Sequence, residues 1–282
     1  MHSASTASEL RACVDAWRRD GARVGFVPTM GNLHAGHYSL VDIAREHCDR
    51  VVASVFVNPT QFGPTEDFSS YPRTLDEDRA GLQAHGCDLL FTPRVSDVYP
   101  FGTQASVRVD VPVISATLEG ALRPGHFSGV ATVVTKLFNL VQPQVAVFGQ
   151  KDYQQLLVIR RLVGDLALPI EVIGAPTRRE ANGLAMSSRN QYLTAEERER
   201  AGIIRRTLET MRAGVQRGHA FAELEQAARQ TLEDAGLSVD YAAIRDASDL
   251  SEPAAPRRAG LVALIAAKLG RARLIDNILL DL

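Results

Sequence analysis

From about residue 23 to residue 177, short β-branched apolar runs alternate with segments whose apolar residues recur at helical spacing. This alternation limits the fold more than any single motif. Residues 23–28, VVASVFV (51–57), DLLFTP (88–93), QVAVFG (144–149) and PIEVIGAPT (169–177) read as strands. Helical periodicity covers Tyr38–Glu46, 75–85, Val130–Val141 and Asp152–Leu166, with an earlier helix at 8–18 that stops near Gly21. The segment Thr117–Ser128, with Gly120, Pro124 and Gly125, reads as a loop. Runs apolar on both faces suit strands covered on two sides, so the expectation is an α/β fold with a parallel sheet.

The texture changes after Thr194. TAEERERAGIIRRTLETMRAGVQRG is charged and helical, with Thr194 as N-cap and Glu197 three residues on. FAELEQAARQTLEDAG reads as a second helix, and VDYAAIRD, LVALIAAKL and RARLIDNILL as strands. A smaller α+β unit of roughly 90 residues is large enough to hold a core. The expected division is 1–183 and 184–282.

Several function classes are excluded by composition. The formal net charge of -2 over 282 residues is not that of a duplex-binding protein, so no nucleic-acid partner is expected. The three cysteines, Cys13, Cys48 and Cys87, are far apart and odd in number, which argues against a disulfide framework or a zinc ribbon. No apolar run approaches the ~18 residues of a membrane span, and the N-terminus lacks a signal-like apolar stretch. A cytoplasmic protein with no membrane partner is expected.

Ligands of parallel sheets bind outside the carboxyl ends of the strands, and four polar clusters fall there. In PTMGNLHAGH the imidazoles of His34 and His37 stand at the first turn of a helix, where unpaired N–H groups and the helix dipole favour an anion. Two readings stay open for them: contact with phosphate, or a helix cap with one satisfied histidine. Asn58 and Gln61 follow the second strand and suit a small polar substrate, although Asn-Pro and Gly-Pro also signal an ordinary turn. In GQKDYQQ, Lys151 can hold a phosphate, Asp152 can cap a helix, and Gln155 lies three residues on. In GLAMSSRNQYL, Ser187 and Ser188 offer hydroxyls and Arg189 a bidentate clamp. Together these groups suit positioning and charge neutralisation at a polyphosphate, with no nucleophile–base pair for covalent catalysis. The P-loop and dinucleotide glycine fingerprints are both missing.

His-x-Gly-His after a strand, with a later Met-Ser-Ser-Arg, resembles the two nucleotide signatures of the adenylyl-transferring superfamily that includes class I aminoacyl-tRNA synthetases. More closely, PTMGNLHAGH, VFVNPTQFGPTEDFSSYPRT, LEGALRPGHFSGVATVVTKLFN, VFGQKDYQQL and GLAMSSRNQYL resemble, in order, the pantoate–β-alanine ligase family. The resemblance implies a Rossmann-like ATP- and pantoate-binding domain and a smaller domain that closes over ATP. It also implies two-step chemistry: pantoate and ATP give pantoyl adenylate and pyrophosphate, then β-alanine gives pantothenate and AMP. Carried over by position, Met30, Gly31, Asn32, Leu33, His34, Ala35, Gly36 and His37 would cover the ATP phosphates. Gly149, Gln150, Lys151 and Asp152 would bind ATP, as would Met186, Ser187, Ser188 and Arg189, with the Arg178 backbone at adenine. His37, His34, Lys151 and Arg189 would be catalytic, with His37 the proton donor. Gln61 and Gln155 would hold pantoate with Asn58 beside them. Mg²⁺ would ride on the phosphates, with Asp78 as a candidate acidic neighbour, and the family implies a homodimer.

Two positions depart from the family pattern: Gln150 stands where glutamate is usual, and Asn182 where aspartate is usual. The rival readings are a nucleotidylyltransferase with another small acceptor and a non-catalytic nucleotide-binding module.

Overall fold

The computed structural model describes residues 1–63, 68, 71–254 and 259–280. Part of the motif VFVNPTQFGPTEDFSSYPRT, residues 64–67, 69 and 70, lies outside them. The chain forms two compact units, one of Met1–Gly149 with Gln154–Ala175, the other of Gln150–Tyr153 with Pro176–Leu282.

The first unit is the α/β layer structure. Its strands are β1 (His2–Ala4), β2 (Val24–Thr29), β3 (Arg50–Val55), β4 (Leu89–Phe91), β5 (Val145–Gly149) and β6 (Glu171–Ala175). They pair in the order β1-β4-β3-β2-β5-β6, with every pairing parallel. The expected strands are present with ends that differ by at most two residues, and β1 adds an edge that periodicity did not show. Three residues carry no readable alternation; His2–Ala4 are extended because β4 supplies a partner register, from Leu89 to Phe91.

The helices are α1 (Ala7–Arg19), α2 (Ala35–His47), α3 (Leu75–Ala84), the short α4 (Val95–Val98) and α5 (Glu119–Leu122), α6 (His126–Val141) and α7 (Tyr153–Asp165). A capping box starts α1: Thr6 accepts from the Glu9 N–H, and the Glu9 carboxylate accepts from the Thr6 N–H. The supposed loop at 117–128 contains α5 and the start of α6, which begins four residues before the expected Val130. Gly125, at φ 82°, provides the left-handed entry there. The strands are apolar on both faces because helices cover both: Phe26 and Phe91 are fully buried, and Phe26 meets Phe138 of α6 edge-on at 6.3 Å. The cysteines are free thiols, and burial pushes Cys87 up to about 11, which removes it as a nucleophile.

The chain reverses direction across the sheet between β2 and β5: β3 and β4 lie on one side of β2, β5 and β6 on the other. That is the switch point at which open α/β sheets bind ligands. The carboxyl ends of these strands are Thr29 and Gly149, beside the histidine motif and the Lys151 turn.

In the second unit, β7 (Ser238–Asp246), β8 (Leu261–Leu269) and β9 (Ala272–Leu279) form an antiparallel sheet in that order. Its core includes Ile204, Leu208 and Met211 of α9 (Ile203–Gln216), Leu232 of α10 (Phe221–Asp234) and Ile265 of β8. The helix expected from Thr194 is split in two, α8 (Ala195–Ala201) and α9, at Gly202. There a side chain would collide with the Asn182 carbonyl. The boundary also differs from the expected 183/184. Residues 176–183 pack with the second unit because Arg179 makes a bidentate pair with Asp276 of β9, at 2.6 and 3.0 Å.

Candidate active site

The histidine motif is built from the end of β2. Thr29 Oγ1 donates to the Ser54 carbonyl at 2.7 Å and accepts from the Gly31 N–H at 3.3 Å, which turns the chain. Gly31 (φ 82°) and Asn32 (φ 52°) are both left-handed, a conformation that suits glycine and asparagine. The next two N–H groups would be orphans. Asp78 of α3 takes both: Asn32 N donates to Oδ2 at 3.0 Å and Leu33 N to Oδ1 at 2.7 Å. Thr74 Oγ1 adds a third bond at 3.1 Å, and Asp78 is 1% exposed. Both carboxylate oxygens are therefore engaged with protein, and the residue reads as an anchor of the loop rather than a neighbour of a metal.

Helix α2 begins at Ala35, before His37. His34 is its N-cap and His37 its third residue, and the two form a reciprocal capping box. Gly36 N donates to His34 Nδ1 at 3.1 Å, and His34 N donates to His37 Nδ1 at 3.3 Å. The rings lie 4.1 Å apart, tilted by 40°. Each Nδ1 is an acceptor, so in the neutral ring Nε2 carries the proton and is a donor. Capping and phosphate contact are thus compatible, because they use different nitrogens.

Gln61, in the 3₁₀ turn Pro59–Gln61, donates from Nε2 to Met30 Sδ at 3.1 Å and accepts from Asn58 Nδ2 at 3.1 Å. This brings Met30, which the resemblance assigned to the ATP phosphates, beside Asn58 and Gln61, which it assigned to pantoate. Asn58 itself is 1% exposed. Its other amide hydrogen goes to the Gly129 carbonyl at 3.2 Å, and its oxygen accepts from Tyr99 Oη at 2.7 Å and Thr60 Oγ1 at 3.0 Å. These bonds to protein hold Asn58 in place and orient Gln61. Burial pushes the Tyr99 phenol up, which keeps it a donor to Asn58. Gly129 of α6 lies directly under this turn, and a Cβ there would overlap the Thr60 carbonyl. Gly129→Ala is therefore expected to displace Gln61 and, given the substrate contact expected of that residue, to raise KM for pantoate by about tenfold, with kcat changed less; unaltered steady-state kinetics would refute that expectation.

A cavity of about 540 Å³ opens beside Gln61, with Tyr99, Arg108, Arg123, His126 and Ser128 among its walls. His126 Nδ1 donates to the Gln61 carbonyl at 2.8 Å, which makes Nε2 the acceptor for Arg123 Nη1 at 3.0 Å. This chain holds a guanidinium at a cavity wall, a setting for a carboxylate. The sequence reading missed Arg123 and His126. The signal was the arginine and histidine in LRPGH, which read as loop chemistry until α6 presents them to the cavity.

Gly149 ends β5 beside open space, since a Cβ there meets nothing within 4 Å. Of the paired glutamines, Gln154 is structural: it is 3% exposed and donates to the Ile114 and Thr117 carbonyls at 2.6 and 2.8 Å. Gln155 is half-buried. In the second unit, the Lys151 ammonium pairs with the Asp152 carboxylate at 3.1 Å. The Gln150 and Lys151 carbonyls accept from Asn277. A tight hairpin carries the serine–arginine motif: Met186 N donates to the Arg178 carbonyl at 2.9 Å, and Arg179 bridges to Ala185. Ser187 Oγ then accepts from the Arg189 N–H at 3.3 Å and caps the 3₁₀ turn Ser188–Tyr192. Asn182 donates to the Arg198 carbonyl at 2.8 Å, which an aspartate would not do, so this departure from the family pattern has a local partner.

The sequence model described as pantoate-beta-alanine ligase matches residues 2–279. The chain is 59% identical over 271 residues to the pantothenate synthetase of Xanthomonas axonopodis pv. citri (strain 306), covering 96% of each. Its structure is similar to the crystal structure of pantothenate synthetase from Thermus thermophilus, with a TM-score of 0.93, 50% identity and full coverage of both chains. It is also similar to the pantoate-beta-alanine ligase of Francisella tularensis, complexed with beta-gamma ATP and beta-alanine, with a TM-score of 0.83, 33% identity and coverage of 99% and 98%.

Proposed function

The chain belongs to the pantoate–β-alanine ligase family and condenses pantoate with β-alanine using ATP; we propose that it does so through an enzyme-bound pantoyl adenylate. A pantoate carboxylate oxygen attacks the α-phosphorus and pyrophosphate leaves. The β-alanine amine then attacks the activated carbonyl, giving pantothenate and releasing AMP. The observation that carries this reading is the histidine motif at the switch point. Two imidazoles whose Nδ1 atoms accept backbone N–H groups stand at a helix N-terminus, and preorganised donors of that kind stabilise charge as it develops.

In this proposal His37 donates to the phosphate and His34 supports it. Lys151 exchanges its Asp152 partner for phosphate, Asp152 turns to the ribose, and the Met186–Arg189 segment binds the triphosphate. The Arg178 backbone faces adenine. Gln61 and Gln155 hold pantoate, with Asn58 acting through Gln61. The Gln61-side cavity takes β-alanine, its carboxylate on Arg123. No cluster of three or more His, Cys, Asp or Glu able to hold a metal is present among the described residues. Mg²⁺ is proposed to ride on the phosphates of the incoming nucleotide. No helix among the described residues is long and apolar enough to cross a membrane; a cytoplasmic homodimer is the setting we propose, in line with the family.

The test is AMP release with each substrate omitted in turn. AMP is expected only when ATP, pantoate and β-alanine are all present, with isotope exchange between pyrophosphate and ATP requiring pantoate but not β-alanine. Exchange that depends on β-alanine would overturn the adenylate.

A further inference from the structure

Strand β9 carries two adjacent polar residues that are almost fully buried, Asp276 at 4% and Asn277 at 7% exposure. Buried polar side chains are held there by specific partners, and these two serve different segments. Asn277 Nδ2 donates to the carbonyls of Gln150 and Lys151, both at 2.9 Å. Asp276 accepts the bidentate Arg179 fork and also the Asn277 N–H at 2.8 Å. Arg179 Nη1 donates in turn to the Gly183 carbonyl at 3.0 Å and so tightens the hairpin that leads into Met186. A second tether holds the Lys151 turn: buried Tyr153 donates its hydroxyl to the Ala247 carbonyl, just after β7, at 2.8 Å. The turn follows a strand of the first unit and precedes a helix of that unit, yet its four residues belong to the second.

We infer that Asn277 and Asp276 are positioning residues for adenylate formation, fixing the Lys151–Asp152 turn and the Met186–Arg189 loop in register on one strand. The inference rests on the reading that those two segments bind ATP. Donor arithmetic explains the residue types. Two carbonyl oxygens need two N–H donors from one short side chain, which asparagine supplies; serine has one donor and ionised aspartate none. At 276 a carboxylate is needed to take both arms of the guanidinium.

The experiment measures KM for ATP and for β-alanine, together with Tm, in Asn277→Ser, Asn277→Asp and Tyr153→Phe. KM for ATP is expected to rise with the donors removed, by about fivefold in Asn277→Ser and about 30-fold in Asn277→Asp, where a carboxylate faces two carbonyls. Tyr153→Phe, which loses one hydroxyl and retains its packing, is expected to raise it about threefold. KM for β-alanine stays within twofold. A merely structural role would lower Tm and leave every KM alone, and KM for ATP within twofold of the parent in the soluble variants overturns the inference. Lys151→Ala is run in parallel to separate the two readings. Normal ATP kinetics in that variant refutes the assignment of the turn to ATP. Impaired kinetics there beside normal Asn277 and Tyr153 variants refutes only the positioning role.

Discussion

Replacing His37 with alanine is expected to lower kcat for adenylate formation by about 10²–10³-fold, with KM for ATP and pantoate within a few-fold of the parent. The asymmetry follows from what the ring does. Its Nδ1 accepts a backbone N–H within the first turn of α2, so the imidazole is oriented before substrate arrives. In the proposed role its Nε2 proton would serve charge that grows as pyrophosphate departs, and a donor that acts chiefly in the transition state changes kcat more than binding. The lost capping bond is long, at 3.3 Å, and costs about 1 kcal/mol or less, too little to explain such a fall in rate. Pyrophosphate exchange and a thermal melt decide it. Turnover within threefold of the parent would remove His37 from the chemistry; a large fall in Tm would assign the effect to folding. His34→Ala is expected to lose more stability than His37→Ala, because His34 is the N-cap itself.

Asp78→Asn is expected to destabilise the first unit by about 2–4 kcal/mol and to cut activity more than tenfold without touching a substrate. The carboxylate offers acceptors to Asn32 N, Leu33 N and Thr74 Oγ1. An amide in its place turns one acceptor into a donor that faces a donor. The loop between Thr29 and His34, already holding two left-handed residues, loses the contact that fixes it. For a unit of this size Tm should fall by roughly 5–15 °C. A magnesium titration separates the anchor from a metal-binding role. Activity restored by excess Mg²⁺ at an unchanged Tm would place Asp78 at the metal, whereas a fall in both that Mg²⁺ does not repair supports the anchor.

The α/β class was legible because both of its signals are local. Runs such as VVASVFV are apolar on both faces, and a strand has that character only when helices cover it twice. The chemical types at the strand ends were legible for a related reason: imidazoles after a Pro-Thr-Met-Gly turn, or a lysine after a strand-ending glycine, are placed at the strand ends by the element order alone. The ends of elements were less so. Whether His34 caps the helix stays open in the sequence until its ring is seen accepting the Gly36 N–H. The need for glycine at the break between α8 and α9 was equally hidden, because the Asn182 carbonyl that a side chain at Gly202 would meet lies twenty residues earlier in the chain.

By itself, then, the sequence determined the parallel sheet and the smaller α+β unit and supplied the candidates we propose to meet ATP and a small acid, since periodicity and side-chain chemistry act within one element. The tertiary structure alone decided which polar residues serve those groups from behind. Asp78 lies 45 positions from Leu33, and Asn277 lies 126 from Lys151. Neither separation leaves a pattern in the chain. A hydrogen bond is set by distance and angle in space, and only the packing of α3 beneath one loop and of β9 beside one turn makes a buried aspartate and a buried asparagine into supports for the histidines and the lysine.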